Sequence, residues 1–249
     1  MMDLKDITFT IPVRIESTDR LNNLNYIVEF LLHNFDTNII VYENGPAQVY
    51  ENKRQIKHIF EQNNNALFHR TKYLNHMARL ATTNYIANYD CDVFFPVKQI
   101  VRAYQILVNN ETDGIFPYDG LFVNVPKNVP PLTYNVDGLN PNDYSNFGKN
   151  SMGGAIFWNK KVFMDGGMEN EHFVSWGCED WERLNRFTKL GYRIGRVKGP
   201  LYHITHSRNQ NSSEENPHYQ NNEVEFHKVN NMTKEQLQAY IKTWPWLFQ

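Results

Sequence analysis

Apolar and polar positions along the chain alternate between a strand rhythm and a helix rhythm. Residues 7–13 form a short, largely apolar run with Pro12 near its end, the pattern of a buried parallel strand. Leu21, Leu24, Val28, Leu31 and Leu32 then fall on one face of a helix that Thr18 or Asp19 can cap. Residues 38–42 predict a second strand, closed by the turn signal Asn44-Gly45-Pro46. A polar helix is expected over 50–62, another helix over 68–80, a strand over 84–95 and a helix over 97–108. Further on, 192–197 reads as strand, and 233–244 as an amphipathic helix capped by Thr233, with Trp244-Pro245-Trp246 packed against the body. Strand–helix–strand alternation of this kind argues for an α/β domain of Rossmann-like type around a mostly parallel sheet.

The stretch 151–189 organises the rest. It holds Gly153-Gly154, a turn at Gly166-Gly167, and then Trp176-Gly177-Cys178-Glu179-Asp180. Trp181, Leu184, Phe187 and Thr188 follow at helical spacing, and Gly191 supplies the stop. Glu179 and Asp180 therefore open a helix, where the macrodipole favours negative charge, and both are expected to be ionised. An ionised carboxylate facing a cleft can accept a proton from a hydroxyl. A helix N-cap beside a buried tryptophan accounts for the same spacing, and that reading stays open at this point.

Three other places carry candidate chemistry. Pro12-Val13-Arg14 ends the first strand, where doubly wound sheets bind ligands; no G-x-G-x-x-G follows it, which weighs against a dinucleotide oxidoreductase. Asp90-Cys91-Asp92 closes the strand over 84–95. Residues i and i+2 of an extended segment point the same way, so two carboxylates converge at a strand end. His203 and His206 follow the next strand at a spacing that, with a distant carboxylate, resembles a zinc site. Between these lies 109–150, rich in Pro, Asn, Gly and Tyr, with the proline-bearing run 126–131 and no clear period. Long irregular segments are usually functional loops or insertions. Tyr118, Phe122 and Tyr134 are available there to stack on a ligand, and irregular packing over the sheet edge is the alternative.

Composition narrows the class. At 249 residues the chain fits one large α/β domain or two small ones. Its 41% hydrophobic and 21% charged residues describe a soluble globular protein. A net charge of −2 with interspersed signs leaves no footprint for nucleic acid or an anionic membrane. No apolar run approaches a membrane span, and the N-terminus reads as a first strand, not a signal peptide. Cys91 and Cys178 each sit in a candidate motif, and two free thiols in a reducing compartment are favoured over a disulfide.

In sum, Gly153-Gly154 followed by Trp176-Gly177-x-Glu179-Asp180 resembles the central segment of the β-1,4-galactosyltransferase family, glycosyltransferases of the GT-A fold. Further pieces fall in the same order from the first strand to about residue 208. The resemblance implies a GT-A type Rossmann-like single domain over 1–249. Its nucleotide-binding half would be 1–108, its acceptor and metal half 109–208, and its lid loop and C-terminal helix 209–249. Pro12 and Arg14 look like the family's Pro-Phe-Arg, with Val13 replacing the aromatic and Glu16 standing near a second arginine that does not align. Phe68-His69-Arg70-Thr71-Lys72-Tyr73-Leu74-Asn75 is similar to Phe-Asn-Arg-Ala-Lys-Leu-Leu-Asn, which carries Phe68 and Arg70 over as residues flanking the nucleotide. Asp90-Cys91-Asp92 holds the place of the D-x-D. His203 takes the place of a metal-binding methionine and His206 that of the metal-binding histidine ahead of Ser207-Arg208.

The implied activity is inverting transfer of a hexose from a UDP-sugar to a hydroxyl of a glycan or glycolipid. Asp180 would be the general base, and Asp92, His203 and His206 would hold Mn²⁺, with Mg²⁺ as the alternative. Donor contacts would come from Pro12, Arg14, Phe68, Arg70, Asp90, Asp92, Gly154 and Trp176, and acceptor contacts from Gly153, Trp176, Glu179 and Asp180. Galactose-selective members carry a Tyr before Phe-Gly-Gly; Ser151 before Met152-Gly153-Gly154 leaves more room near the sugar's C2. UDP-galactose is the first expectation and UDP-N-acetylgalactosamine close behind. The segment 205–222 would be a lid that orders over metal and donor. The animal members are membrane-anchored and lumenal; with no anchor here a bacterial cytoplasm is expected, and peripheral membrane association stays open. Two other readings stand beside this one. The first is a catalytically silent carbohydrate-binding protein of the same fold. The second is a zinc hydrolase, which would lack the adjacent glutamate of H-E-x-x-H.

Overall fold

A computed structural model describes residues 1–54, 56–127 and 134–248. Strand β1 (Met2–Val13) carries the first apolar run and extends it back to Met2. Helix α1 (Thr18–Asn34) buries Leu24, Ile27, Val28 and Leu31, and is capped not by Thr18 or Asp19 but by Ser17, whose hydroxyl accepts the Arg20 N–H. β2 (Phe35–Gly45) lies parallel to β1. Among the described residues of 50–62 the expected polar helix is absent. In its place Lys57–Gln62 forms β3, an edge strand parallel to β2. A half-exposed edge strand shows little alternation of its own, so pairing with β2, invisible locally, decides its state.

Helix α2 (Arg70–Leu80) begins two residues after Phe68. The strand expected over 84–95 is broken into β4 (Tyr85–Tyr89) and β5 (Val93–Phe94), because the chain changes sheets at the Asp90-Cys91-Asp92 turn. Helix α3 (Val97–Val108) runs as the pattern predicts. The stretch read as irregular contains β6 (Gly114–Phe116), β7 (Phe122–Val125) and β8 (Ser145–Gly148), with a 3-10 turn at Pro141–Asp143. Of its proline-bearing run, residues 128–131 lie outside the described residues. β9 (Ala155–Asn159), α4 (Lys160–Asp165), α5 (Glu179–Leu190), β10 (Ile194–Arg196) and β11 (Leu201–Ile204) follow. The sequence pattern did not predict α6 (Tyr219–Asn231), which takes up the end of the segment read as loop. α7 (Lys234–Ile241) has the Thr233 cap expected of it, in a capping box with Gln236, and Trp244 and Trp246 are buried.

The large sheet has the order β10-β6-β9-β4-β1-β2-β3 and is parallel except at β9, which is antiparallel to both neighbours. A smaller sheet, β5-β11-β7-β8, stands against the end of β4. The mostly parallel α/β architecture expected from the pattern is therefore the one observed. The carboxyl ends of β1 and β4 open toward the small sheet, the crevice where open α/β sheets take their ligands.

Helix α5 is the element that carries the motif carboxylates. Its buried face differs from the one its spacing suggested: Trp181 and Thr188 are exposed, and the helix buries Glu182, Arg183, Arg186 and Phe187. Two arginines can turn inward because each finds partners. Arg186 pairs with Glu182 and donates to the carbonyls of Gly166 and Met168. Phe187 packs between Trp158, at 4.3 Å between ring centres, and Phe163, stacked at 6.2 Å. Phe187→Ala should therefore destabilise the protein by about 3–5 kcal/mol, read as a lowered urea midpoint with unchanged slope. Phe187→Leu should cost clearly less.

Candidate functional site

One cleft of about 440 Å³ opens between the two sheets. Its walls include every residue expected to contact donor, acceptor or metal: Pro12, Arg14, Phe68, Arg70, Asp90, Asp92, Gly153, Gly154, Trp176, Glu179, Asp180, His203 and His206. Of the aromatic residues expected to stack on a ligand, only Phe122 lies on it. Tyr118 is fully buried and donates to the Gly153 carbonyl at 2.6 Å, and Tyr134 packs on Tyr26 and His33. Those two serve packing.

On one wall Asp92, His203 and His206 come together with a ligand atom each, all within 4.8 Å of one another. Asp92 leaves the turn between the sheets, His203 ends β11, and His206 follows it. The Nε2 atoms of His203 and His206 lie 4.0 and 3.2 Å from the Asp92 carboxylate. Second partners orient both rings. His206 Nδ1 faces the Ser207 carbonyl at 2.7 Å, which can only accept, so Nδ1 carries a hydrogen. His203 Nδ1 meets Asn124 Oδ1 at 3.0 Å. Each ring thus turns Nε2 toward the carboxylate, the arrangement that metal-binding histidines adopt. Burial pushes His203 toward its neutral, ligating form. Burial opposes the charge on Asp92, but the His206 hydrogen bond and the positive charge of Arg20 hold it below the usual carboxylate range. One carboxylate with two imidazoles is a mixed oxygen and nitrogen donor set that a first-row divalent cation such as Mn²⁺ can take, so the residues present fit the metal.

The two carboxylates of the Asp90-Cys91-Asp92 turn do not converge as an extended segment would have them. Asp90 turns to Arg70, which donates to Oδ1 through Nε at 3.1 Å and a terminal nitrogen at 2.5 Å, while Asp92 faces the histidines. Burial raises the Asp90 carboxyl, with Arg70 opposing. Arg20, which the sequence reading passed over, points from the first turn of α1 to 3.5 Å from Asp92. Its signal was available: a helix that starts at the carboxyl end of β1 aims its first turn into the crevice. Asn124 gave none, since its strand sits in a stretch without period.

The opposite wall is the start of α5. Its N-cap, Cys178, sits at φ 67°, and Ser175 and Gly177 also have positive φ, at 60° and 130°. Ser175 and Cys178, non-glycine residues held at positive φ on either side of Gly177, store strain of the kind found at functional sites. At Gly177 a Cβ would also stand 2.9 Å from the Tyr219 ring. Trp176 is not buried, as the capping alternative required. It is 38% exposed and stacks on Tyr219 at 5.8 Å. Glu179 Oε2 accepts the Gly177 N–H at 2.8 Å. Burial, aided by the Asp180 charge, pushes the Glu179 carboxyl up to about 7, so the expectation of a fully ionised pair is corrected for Glu179. Helix position favours its charge, but removal from water weighs more. Asp180 takes both its guanidinium contacts on Oδ1, from Arg183 at 2.5 Å and Arg70 at 3.6 Å. Its Oδ2 faces Gly153, where a Cβ would stand 2.7 Å away.

The segment 205–222 is docked against the cleft mouth. Glu16 accepts hydrogen bonds from the amides of Asn209 and Asn211, and Asn211 Oδ1 accepts from the Phe68 N–H and the Ser175 hydroxyl. Both cysteines are free, and among the described residues no helix is long and apolar enough to cross a membrane.

This architecture defines the class, an α/β protein of the GT-A fold. Residues 136–210, which include Trp176 to Asp180 and both histidines, match the family described as the N-terminal domain of galactosyltransferase, bearing out the resemblance seen in the sequence. No curated protein matches. Among solved structures, the catalytic domain of Drosophila β-1,4-galactosyltransferase 7 in complex with xylobiose is 16% identical, with a TM-score of 0.46. A mutant of the same enzyme in complex with manganese, UDP-Gal and xylobiose is 16% identical, with a TM-score of 0.50. GalNAc-T7 with UDP, GalNAc and Mn²⁺ is 12% identical, with a TM-score of 0.58 over 91% of this chain. The comparison covers 79% of this chain for both Drosophila structures, and the chain spans 65% of their length and 48% of GalNAc-T7. At these identities the likeness to the Drosophila mutant and to GalNAc-T7 establishes the fold.

Asn124→Leu should weaken Mn²⁺ binding by roughly 10–100-fold through loss of the His203 orienting bond, measured by calorimetry or by the free-Mn²⁺ paramagnetic signal. Equal affinity in the variant would remove Asn124 from that role.

Proposed function

We propose that this protein is an inverting, metal-dependent glycosyltransferase that moves a hexose from a UDP-sugar to a glycan hydroxyl. The observation that carries the reading is the facing of the Asp180 carboxylate and the Asp92, His203, His206 trio across one cleft. The neighbours of the same fold, crystallised with UDP-sugars or UDP and manganese, support the donor class and the metal.

Asp180 Oδ2 takes the proton of the acceptor hydroxyl as that oxygen attacks the anomeric carbon, and the bond to UDP breaks on the opposite face. Mn²⁺ held by Asp92, His203 and His206 supplies, when bound, Lewis-acid neutralisation of the departing diphosphate. Arg14, Arg20 and Arg70 add fixed positive charge along the donor side. Pro12 and Phe68 flank the nucleotide, Asp90 and Gly154 meet its ribose and sugar, and Gly153 leaves room for the acceptor beside Asp180. Trp176 covers the reacting groups from its strained turn, and Glu179 braces that turn while meeting sugar hydroxyls. The division into a donor half over 1–108, an acceptor and metal half over 109–208 and a lid from 209 belongs to the same proposal. UDP-galactose is the preferred donor, with UDP-N-acetylgalactosamine next because Ser151 is small.

The deciding experiment is UDP release from each of the two donors with Mn²⁺ and no added acceptor. Asp180→Asn should lose about 3 kcal/mol or more of barrier lowering, a hundredfold or greater drop in kcat, while Mn²⁺-dependent UDP binding stays intact. Undiminished turnover in that variant would remove Asp180 as the base. Stoichiometric tightly held zinc would favour the hydrolase reading.

A further inference from the structure

Behind Asp180 the charges continue inward in an order that chemistry at the cleft alone does not require. Arg183, 2% exposed in its side chain, sends one terminal nitrogen to Asp180 Oδ1 at 2.5 Å and the other to both oxygens of Glu169 at 3.0 and 3.1 Å. Glu169 is 1% exposed and follows the α4 turn. It accepts a further hydrogen bond from the Asn88 amide at 2.7 Å, and Asn88 is held by the Thr10 hydroxyl. The Glu169 backbone is clamped on both sides by the Asn75 side chain, at 2.8 and 3.0 Å. Thus a carboxylate fixed by two strands and a helix grips an arginine, and that arginine grips the carboxylate at the cleft.

From this geometry we infer that Glu169 and Arg183 are positioning residues, which hold Asp180 by Oδ1 so that Oδ2 stays aimed past Gly153 at the acceptor hydroxyl. The inference rests on the general-base role proposed above. Without Arg183, Asp180 keeps only the longer contact to Arg70, which Asp90 engages at 2.5 Å. With Glu169 neutral, Arg183 would direct its whole charge at Asp180. The groups facing Asp180 are Arg183 and Glu179 on its own helix, Arg70 from α2, Asp90 from the end of β4 and Tyr118 from the loop after β6.

The two single changes therefore act on Asp180 with opposite sign. Arg183→Gln removes a cation from beside Asp180, so the acid limb of kcat/KM moves up. Glu169→Gln removes an anion from behind that cation, so the limb moves down. Each shift should be about one pH unit, and kcat for UDP release should fall by ~100-fold in Arg183→Gln, as expected when a reacting group is misplaced by about 1 Å. Mn²⁺-dependent UDP affinity should not change. Limbs that coincide with wild type, or that move the same way, overturn the relay. Should a single variant fail to fold, the double Glu169→Gln, Arg183→Gln removes both charges together. It should show the upward limb and the lowered kcat, and wild-type values in it overturn the inference. Asp180→Asn separates the two claims. Turnover retained there sinks both, whereas an inactive Asp180→Asn beside wild-type profiles in the relay variants sinks this inference alone.

Discussion

The constraint on which the site depends is a line of alternating charges that runs from the buried Glu169 and Arg183 to the partly exposed Asp180, Arg70 and Asp90 at the cleft. Removing one charge from water costs several kcal/mol unless a partner compensates. No member of this line can move without uncovering its neighbour. The members come from separate elements: Glu169 from the turn after α4, Arg183 and Asp180 from α5, Arg70 from α2 and Asp90 from the end of β4. The pairing therefore ties the start of α5 to the carboxyl edge of the sheet. Burial works against the Arg183 and Arg70 cations, and the carboxylates on either side more than offset it. Buried ion pairs contribute little net stability compared with apolar packing. What this line contributes is a defined place for one carboxylate oxygen.

A second constraint is the strained turn ahead of α5. Positive φ at Ser175, Gly177 and Cys178 persists only because the surroundings over-determine it. Asn216 and Asn222 donate to the carbonyls of Val174 and Trp176, and Asn222 Oδ1 accepts the Val174 N–H. Asn222 lies on α6, and Tyr219 of the same helix stacks on Trp176. The helix that the sequence pattern did not disclose is thus the support of the motif that the pattern disclosed best.

That asymmetry marks the limit of reading from sequence. Elements whose signal is local were legible: α3 at both its ends, α5 with its glycine stop, the Thr233 cap. The parallel sheet followed from their alternation. β3 and the small sheet were not legible, because edge pairing and short strands leave almost no period. α5 was identified, yet its inward face was misread, since Glu182, Arg183 and Arg186 look like a solvated face until their partners are known. The site shows the same division. Residues within recognisable motifs meet in one cleft, whereas Arg20, Asn124 and Glu169, which act on those residues from other elements, left no mark in any motif. Glu179 shows the converse error: the macrodipole argument was sound but weaker than desolvation.

The two walls meet at Gly153-Gly154. Gly153 lies against Asp180 on the helix side, and Gly154, at φ 92°, lies against Leu201 and Val93 of the small sheet, where a Cβ would stand 2.4 and 3.4 Å from them. The Gly154 carbonyl accepts the Asp90 N–H at 2.8 Å, and the Gly153 carbonyl accepts the Tyr118 hydroxyl. This backbone is therefore the shared boundary of the charge line, the cation trio's sheet and the buried aromatic core. A side chain at Gly154 would press on β11, which carries His203, and one at Gly153 on the carboxylate across from it. The spacing between the Asp180 carboxylate and the Asp92, His203, His206 cluster is set by a stretch of bare main chain, so the two glycines serve that spacing as much as the turn they form.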